Sequence, residues 1–459
     1  MPKLVWRVKL VAELEPGVVS ETEVARIERD EVASLADLGL RLEEAKRLTA
    51  ALQAEIVPAQ VTTVGERRRW CAACGQLLAS KGHYQATFRS LFGAVPVRVR
   101  RLLVCPCHGP GEPKSFAALE LGGGTVAPEL ACVTARYAAL APFGKVAALL
   151  SELLPIGGAV NAGTVRNRTQ RVGQEVVQLP MAAAVTRPAV RPGGAVVVGL
   201  DGGYVRSRHP EVGRHFEVVA GKVIDADGQQ HRFALVRDGQ AGSAVTLRQA
   251  LAAAGVTAAT PATVLCDGDA GLWRLQREVL PGATPVLDWW HAAVRFEHAI
   301  RVGRRLEAPL ANRAERDLER AKWRLWHGRW AGCRAKLTAL LRWTRRADVV
   351  EAAESNRLQR HVTDLLGYLE RNEGALVPYA ARRRRGLPIS TAFVESAVNE
   401  IVAKRMNKSQ QMRWSRATVQ PFLDVRTAVL NGTLEDAIRQ RYPGFRPPAG
   451  QQQSMAKAA

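Results

Sequence analysis

The stretch Ala195-Val196-Val197-Val198-Gly199-Leu200-Asp201-Gly202-Gly203 decides how the rest of the chain is read. A short apolar run dominated by valine is the pattern of a strand covered on both faces. It stops at an aspartate followed by two glycines. Residues 215–223 and 233–236 have the same strand-forming texture, 243–254 has helical spacing, and 263–266 is another strand. A helix over 272–279 and a fifth strand over 284–287 complete the series. Upstream, residues 187–194 hold two prolines and two glycines and mark a linker.

The acids sit at special places in this pattern. Asp201 ends its strand, and Asp267 ends the strand 264–266 and is followed by Gly268. In an open α/β sheet that edge is where active sites collect. Two carboxylates on adjacent strand ends repel unless a cation lies between them, and a hard ion such as Mg²⁺ suits oxygen ligands. Two such ions ~4 Å apart can activate a nucleophile and stabilise the leaving oxygen of a phosphodiester. Taken singly, Asp-Gly is an ordinary turn pair; the case rests on two of them, each directly after an apolar strand. Asp269 competes with Asp267, which is preferred because no spacer separates it from its strand. A third acid, Glu395, lies in Pro388-Ile389-Ser390-Thr391-Ala392-Phe393-Val394-Glu395-Ser396-Ala397-Val398-Asn399. Pro388 suits a helix start with Ser390 as a cap, and Glu395 and Asn399 then share one side. Helical phase alone equally allows a surface glutamate. The segment that follows carries Lys404, Arg405, Lys408, Arg413 and Trp414, donors for phosphate oxygens interleaved with an aromatic ring. Three strands, helix, strand, helix, strand is the element order of an RNase H-like α/β core. The following residues, about 295–387, read as an all-helical insertion, with Trp323, Trp326 and Trp330 spaced to share a core-facing side.

Seven cysteines, four of them clustered, suggest metal ligation rather than a disulfide framework. Cys71-x-x-Cys74 is a knuckle spacing, and Cys105-Pro106-Cys107-His108 follows across a short β-like segment. A structural Zn²⁺ in a zinc-ribbon-like module over 61–125 is expected, with His108 as an alternative ligand and His83 a weaker one. Cys132, Cys266 and Cys333 sit in apolar patterns and read as core.

Residues 1–60 read as a helical lead-in, because Val24, Ile27, Val32, Leu35, Leu38, Leu42 and Leu48 are spaced helically. Residues 126–186 read as helix, helix, glycine-containing turn and a basic helix over 165–176, the order of a helix-turn-helix. Arg166, Arg168 and Arg171 on that last helix are its candidate DNA contacts; an ordinary helical hairpin has the same pattern. The catalytic domain is then 195–459. Lys and Arg total 65 against 43 acidic residues, a formal charge of +22, which favours a polyanionic partner though a solvated basic surface would also produce it. No apolar run approaches the roughly 20 residues a spanning helix needs, so no membrane partner and a cytoplasmic, nucleoid-associated location are expected.

Asp201-Gly202, Asp267-Gly268-Asp269, Asp288-Trp-Trp-His291 and the segment Val394-Glu395-Ser-Ala-Val-Asn399…Lys404-Arg405-Met406…Gln410-Gln411-Met412-Arg413-Trp414 resemble ISKra-type bacterial insertion-sequence transposases. These are DDE enzymes distantly similar to the Mutator-like superfamily. The resemblance spans roughly residues 65–435 and is most specific from Asp201 onward. It implies an RNase H-like core with a helical insertion before the last acid. Asp201, Asp267 and Glu395 would hold two Mg²⁺ or Mn²⁺ ions. It also implies that His291 contacts the scissile phosphate or holds the DNA end, with Asp288 orienting it. The implied partners are transposon ends and target DNA, bound by a homo-oligomer, and the implied reaction is strand cleavage at the ends followed by strand transfer. A resolvase-like nuclease or a non-catalytic DNA-binding regulator would share much of this pattern.

Overall fold

The valine-rich run around Asp201 forms the middle strand of a five-stranded sheet, β6 (Val196–Arg206), in the computed structural model. The structure describes residues 4–14, 17–29, 34–109, 114–119, 125–157, 160–178, 194–345, 353–407 and 412–446. The described chain falls into two compact units, one up to Val172 together with residues from Arg441, the other from Gly173 to Gln440.

In the second unit, β6 pairs antiparallel with β7 (His215–Ile224), which pairs antiparallel with β8 (Gln230–Val236). On its other side β6 runs parallel to β9 (Ala262–Cys266), and β9 parallel to β10 (Thr284–Leu287). The order is therefore β10-β9-β6-β7-β8. Parallel neighbours need crossovers, supplied by α5 (Gln240–Ala253) and α6 (Ala270–Val279). Val198, Leu200, Val264, Leu265, Val286 and Leu287 are almost fully buried and share one core with Leu247 and Leu251 of α5 and Leu272 and Leu275 of α6. Each such side chain contributes about 1.5–3 kcal/mol. The same core continues into a helical block: α7 (Trp289–Gly303), α8 (Leu310–Trp326), α9 (Trp330–Thr344), α10 (Ala353–Arg371) and α11 (Tyr379–Arg384). The three tryptophans do not share one face: Trp323 and Trp326 lie on α8, and Trp330 starts α9 after Gly328 (φ 74°). Trp326 and Trp330 pack on the core, whereas Trp323 is exposed and stacks on His327. The chain then enters α12 (Ala392–Val398), passes without a break into a π-helical segment (Asn399–Asn407), and ends in α13 (Gln420–Asn431) and α14 (Leu434–Arg441).

The first unit corrects one expectation. Residues 1–60 are not a helical lead-in: β1 (Leu4–Leu14) and β2 (Gly17–Arg29) form an antiparallel hairpin. The reason is in the charges, which the helical count ignored. Lys9 pairs with Glu21 and Arg7 with Glu23 across the two strands, pairings that only antiparallel register provides. The helix starts later, as α1 (Leu42–Arg67), and runs past the expected boundary at residue 60. Its Val57 and Val61 pack on Val95, Val97 and Val99 of β4 (Gly93–Leu103). That strand lies between β3 (Ser80–Ser90) and β5 (Ser115–Ala117). Three helices follow, α2 (Pro128–Leu140), α3 (Phe143–Leu153) and α4 (Ala162–Gln178). Asn161 accepts the Thr164 N–H at 2.9 Å and starts α4. No helix among the described residues is long and apolar enough to cross a membrane.

Candidate active site

Register brings the first two acids together. Gly199 of β6 pairs with Leu265 of β9, so Asp201 and Asp267, each two residues further, occupy equivalent positions on neighbouring strands. Leu287 pairs with Cys266, which sets Asp288 in the same row. Asp201 does not end its strand, as the sequence suggested. β6 continues to Arg206 against β7, and Asp201 instead lies where the parallel ladder to β9 stops. Gly202 faces Glu217 of β7, and a third element comes close to Gly203.

That element is α12, which carries Glu395. A Cβ on Gly199 would lie 1.8 Å from Val394 Cγ2 and 2.8 Å from the Phe393 ring, and one on Gly203 would lie 3.2 Å from Val398 Cγ1. The strand glycines flanking Asp201 are thus the bed for the helix bearing the third acid. Asp201 is close enough to Asp267, His291 and Glu395 to feel their charges. Burial, and next the charge of Asp267, push its carboxyl up to about 6 against a hydrogen bond from the Gly202 N–H. A carboxylate held among like charges favours either a proton or a cation.

Asp288 is fully buried and ties two elements together. Its Oδ1 accepts the Trp290 N–H, and it caps α7. Its Oδ2 accepts from His291 Nδ1 at 2.9 Å, from the Thr391 N–H at 3.0 Å and from the Thr391 hydroxyl. Burial pushes this carboxyl up, but the bonds from His291 and Thr391 outweigh it and hold it below the usual range. One carboxylate therefore fixes the starts of both α7, with His291, and α12, with Glu395. The Asp288 hydrogen bond raises the His291 pKa, and the charges of Asp288, Asp267 and Glu395 add to it. Metal-ligating atoms of Asp288, His291 and Glu395 all lie within 4.8 Å of one another. With Asp288 committed to four hydrogen bonds, His291 and Glu395 are the members of that group open to a ligand, and Nδ1 engagement leaves the His291 Nε2 for it.

The competition between Asp267 and Asp269 resolves by partners. Asp269 caps α6, accepting the Gly271 and Leu272 N–H groups at 2.9 Å each, and Arg237 reaches it at 3.2 Å while also gripping Glu217. Among the described residues, Asp267 accepts the Asp269 N–H at 3.0 Å and a weak Cys266 thiol contact, and no other side-chain bond. The helical block braces this edge: Tyr368 of α10 donates its hydroxyl to the Asp267 carbonyl at 2.7 Å, and Tyr379 of α11 donates to the Leu287 carbonyl at 3.0 Å. Neither tyrosine, nor Thr391, carried a sequence signal, because each acts through contacts with residues distant along the chain.

The basic candidates divide. Lys404 and Arg413 are exposed, and Lys408 lies outside the described residues. Arg405 and Trp414 are corrected: both are buried, with the Arg405 guanidinium 5.4 Å from the Trp414 ring and 5.0 Å from that of Phe422. Burial lowers the Arg405 pKa to about 9. The π-helical segment carries Arg405 inward, and Trp414 is pinned by bonds to Arg206 and Arg208. On α4, Arg166 and Arg171 are exposed, whereas Arg168 is half-buried and donates to Thr134 Oγ1 at 3.1 Å. Ser390 does not cap α12, which begins after Thr391.

In the first unit, Cys71, Cys74, Cys105 and Cys107 converge, all four sulfurs lying within 4.8 Å of one another. Cys71 and Cys107 Sγ are 3.6 Å apart, and Cys74 and Cys105 Sγ 3.4 Å. Four thiolates around one tetrahedral ion at ~2.3 Å would be ~3.8 Å apart, so the cage needs little adjustment to hold one. The Cys74 and Ala73 N–H groups aim at the Cys71 sulfur and pull its thiol down to about 6. The Cys105 sulfur, with burial, pushes Cys107 up. His108 sits 3.2 Å from Cys107 Sγ, outside the group of four, as is His83.

No protein-family model matches the chain, and no curated protein matches it.

Proposed function

We propose that this chain is a DDE-type DNA transposase with an RNase H-like core, using Asp201, Asp267 and Glu395 to hold two Mg²⁺ or Mn²⁺ ions. The observation that carries the reading is the placement of Asp201 and Asp267 at equivalent positions on neighbouring strands, with α12 bedded on Gly199 and Gly203 beside them. The strand order, an antiparallel meander followed by two parallel strands, agrees with that core. The donor set is oxygen-rich, and Asp201 is pushed up to about 6 by burial and by Asp267, a strain that divalent cations relieve. Such ions supply activation of a water or 3′-hydroxyl and charge neutralisation at the leaving oxygen. His291, held by Asp288 through Nδ1, presents Nε2 to the phosphate. The four-cysteine module holds a structural Zn²⁺, and α4 presents Arg166 and Arg171 to DNA phosphates.

The test uses a supercoiled plasmid carrying the DNA that flanks the coding sequence, incubated with protein and Mg²⁺ or Mn²⁺. Wild type nicks at defined ends and joins them to target DNA. Asp201→Asn, Asp267→Asn and Glu395→Gln each lower the rate by about 10³-fold or more while still binding the plasmid. Cleavage that survives these substitutions sinks the assignment. Nicking without joining identifies a resolvase-like nuclease, and binding without nicking by wild type identifies a regulator.

A further inference from the structure

Arg295 stands one helical turn beyond His291 on α7, so the two side chains share a face. Its guanidinium lies 4.1 Å from the centroid of the Tyr368 ring. That ring is buried, and its hydroxyl donates to the backbone carbonyl of Asp267. Arg295 is therefore a permanent cation placed beside the strand end that carries Asp267, yet its own residue is exposed. Among the described residues it makes no ion pair, so its charge is not committed to a carboxylate of the chain. Stacking on the tyrosine fixes the plane of the fork, which a guanidinium has and an ammonium lacks.

We infer that Arg295 is the phosphate-positioning cation of the acid site, gripping a non-bridging oxygen pair of the phosphodiester beside the scissile one. This rests on the reading of the acid site as one that acts on a nucleic-acid strand. The chemistry is consistent. Once the acids are neutralised by cations, the remaining need is to fix the strand laterally, and a planar fork meets a phosphate with two parallel N–H bonds. His291 and Arg295 then form a row along one helix face, reading successive phosphates of one strand. Tyr368 joins the two functions, since the residue that supports Arg295 also ties down the Asp267 backbone.

The experiment compares wild type, Arg295→Gln and Arg295→Lys on the plasmid described above, with its Mg²⁺- or Mn²⁺-dependent nick mapped. Arg295→Gln is expected to raise KM about 10- to 100-fold, with kcat changed less and the half-saturating Mg²⁺ concentration unchanged. Arg295→Lys recovers only part of this. On synthetic duplexes spanning the nick, replacing one neighbouring phosphate by a neutral methylphosphonate slows wild type and leaves Arg295→Gln indifferent, a loss no purely structural role produces. Wild-type behaviour of Arg295→Gln, or equal sensitivity of both proteins to every methylphosphonate, overturns the inference while leaving the acid site intact. Absence of any metal-dependent nicking by wild type removes the reading on which it rests, and the inference with it.

Discussion

The cysteine cluster and the acid cluster are both groups of metal-ligating side chains, but they are built in opposite ways. Cys71 with Cys74 and Cys105 with Cys107 are two short local pairs on neighbouring loops of a small three-stranded module. Among the described residues, Cys71 and Cys105 share a small buried cluster with Leu78, Leu102 and Ala118, against which Phe116 of β5 packs, and five buried valines of α1 and β4 form a second small cluster. The acids come from β6, β9, α7 and α12, and they are positioned by glycines, a buried Asp288–Thr391 lock and two tyrosine hydroxyls. In the first region a metal would hold the fold; in the second the fold holds a place for metal. The second is therefore expected to survive loss of its ligands, and the first is not.

That contrast can be broken most forcefully at the cysteines. Cys71→Ser or Cys105→Ser, or zinc removal by a chelator, is expected to cost several kcal/mol, since structural zinc in small domains contributes about 10–16 kcal/mol of apparent binding energy. Hydrogen exchange should show β3 and β4 losing protection while β6 and β9 keep theirs. A module that stays protected without zinc would place its stability in packing and end the distinction.

A smaller effect is expected at Gly199. Gly199→Ala drives a methyl group into Val394 and Phe393, an overpacking cost of about 1–3 kcal/mol. Because the displaced helix carries Glu395, nicking should fall 10-fold or more, a larger loss than the drop in melting temperature alone implies. Activity that tracks stability only would show that α12 tolerates displacement.

The smallest effect has the opposite sign. The Asp201 carboxyl, ordinarily near 3.8, stands at about 6 in the fold. Its folded pKa is raised, so the stability associated with it is complete below 3.8 and lost as pH rises through 6. In zinc-containing buffer free of Mg²⁺ and Mn²⁺, Asp201→Asn should raise stability at pH above about 7 by roughly 1–2 kcal/mol, discounted for partial solvent screening. The gain should vanish in acid and reverse when Mg²⁺ is added. Differential scanning calorimetry across pH reads all three, and an Asn variant less stable than wild type at neutral pH without Mg²⁺ would mean that Asp201 is not under like-charge strain.

What could be read from the residues follows the same division. Strands 263–266 and 284–287 and the helix following each turn were legible because burial on both faces forces unbroken Val, Leu and Cys runs. The cysteines were legible as two close pairs, Cys71-x-x-Cys74 and Cys105-x-Cys107, the second departing from knuckle spacing. The hairpin at the amino terminus was not, since the i, i+3 spacing of Val24 and Ile27 reads as helical and fits the strand only through the irregularity where the pairing skips Val24. Arg405 and Trp414 looked DNA-facing because composition is blind to the π-helical phase that buries Arg405 and to the backbone bonds with Arg206 and Arg208 that hold Trp414. Asp269 was a competitor that only strand adjacency ranked below Asp267, and its capping bonds and Arg237 were not visible in the sequence.

By itself the sequence determined the α/β series after Asp201, the clustering of cysteines with His108 left as an alternative ligand, and the identity of the acids worth considering, because local burial and ligand spacing act over a few residues. Tertiary structure alone decided that Asp201 and Asp267 stand in one register row, that Gly199 and Gly203 admit the helix bearing Glu395, and that Asp288 fastens His291 to that helix. Those depend on strand pairing and on contacts between residues some hundred positions apart, and no local pattern encodes a partner that the chain has yet to meet.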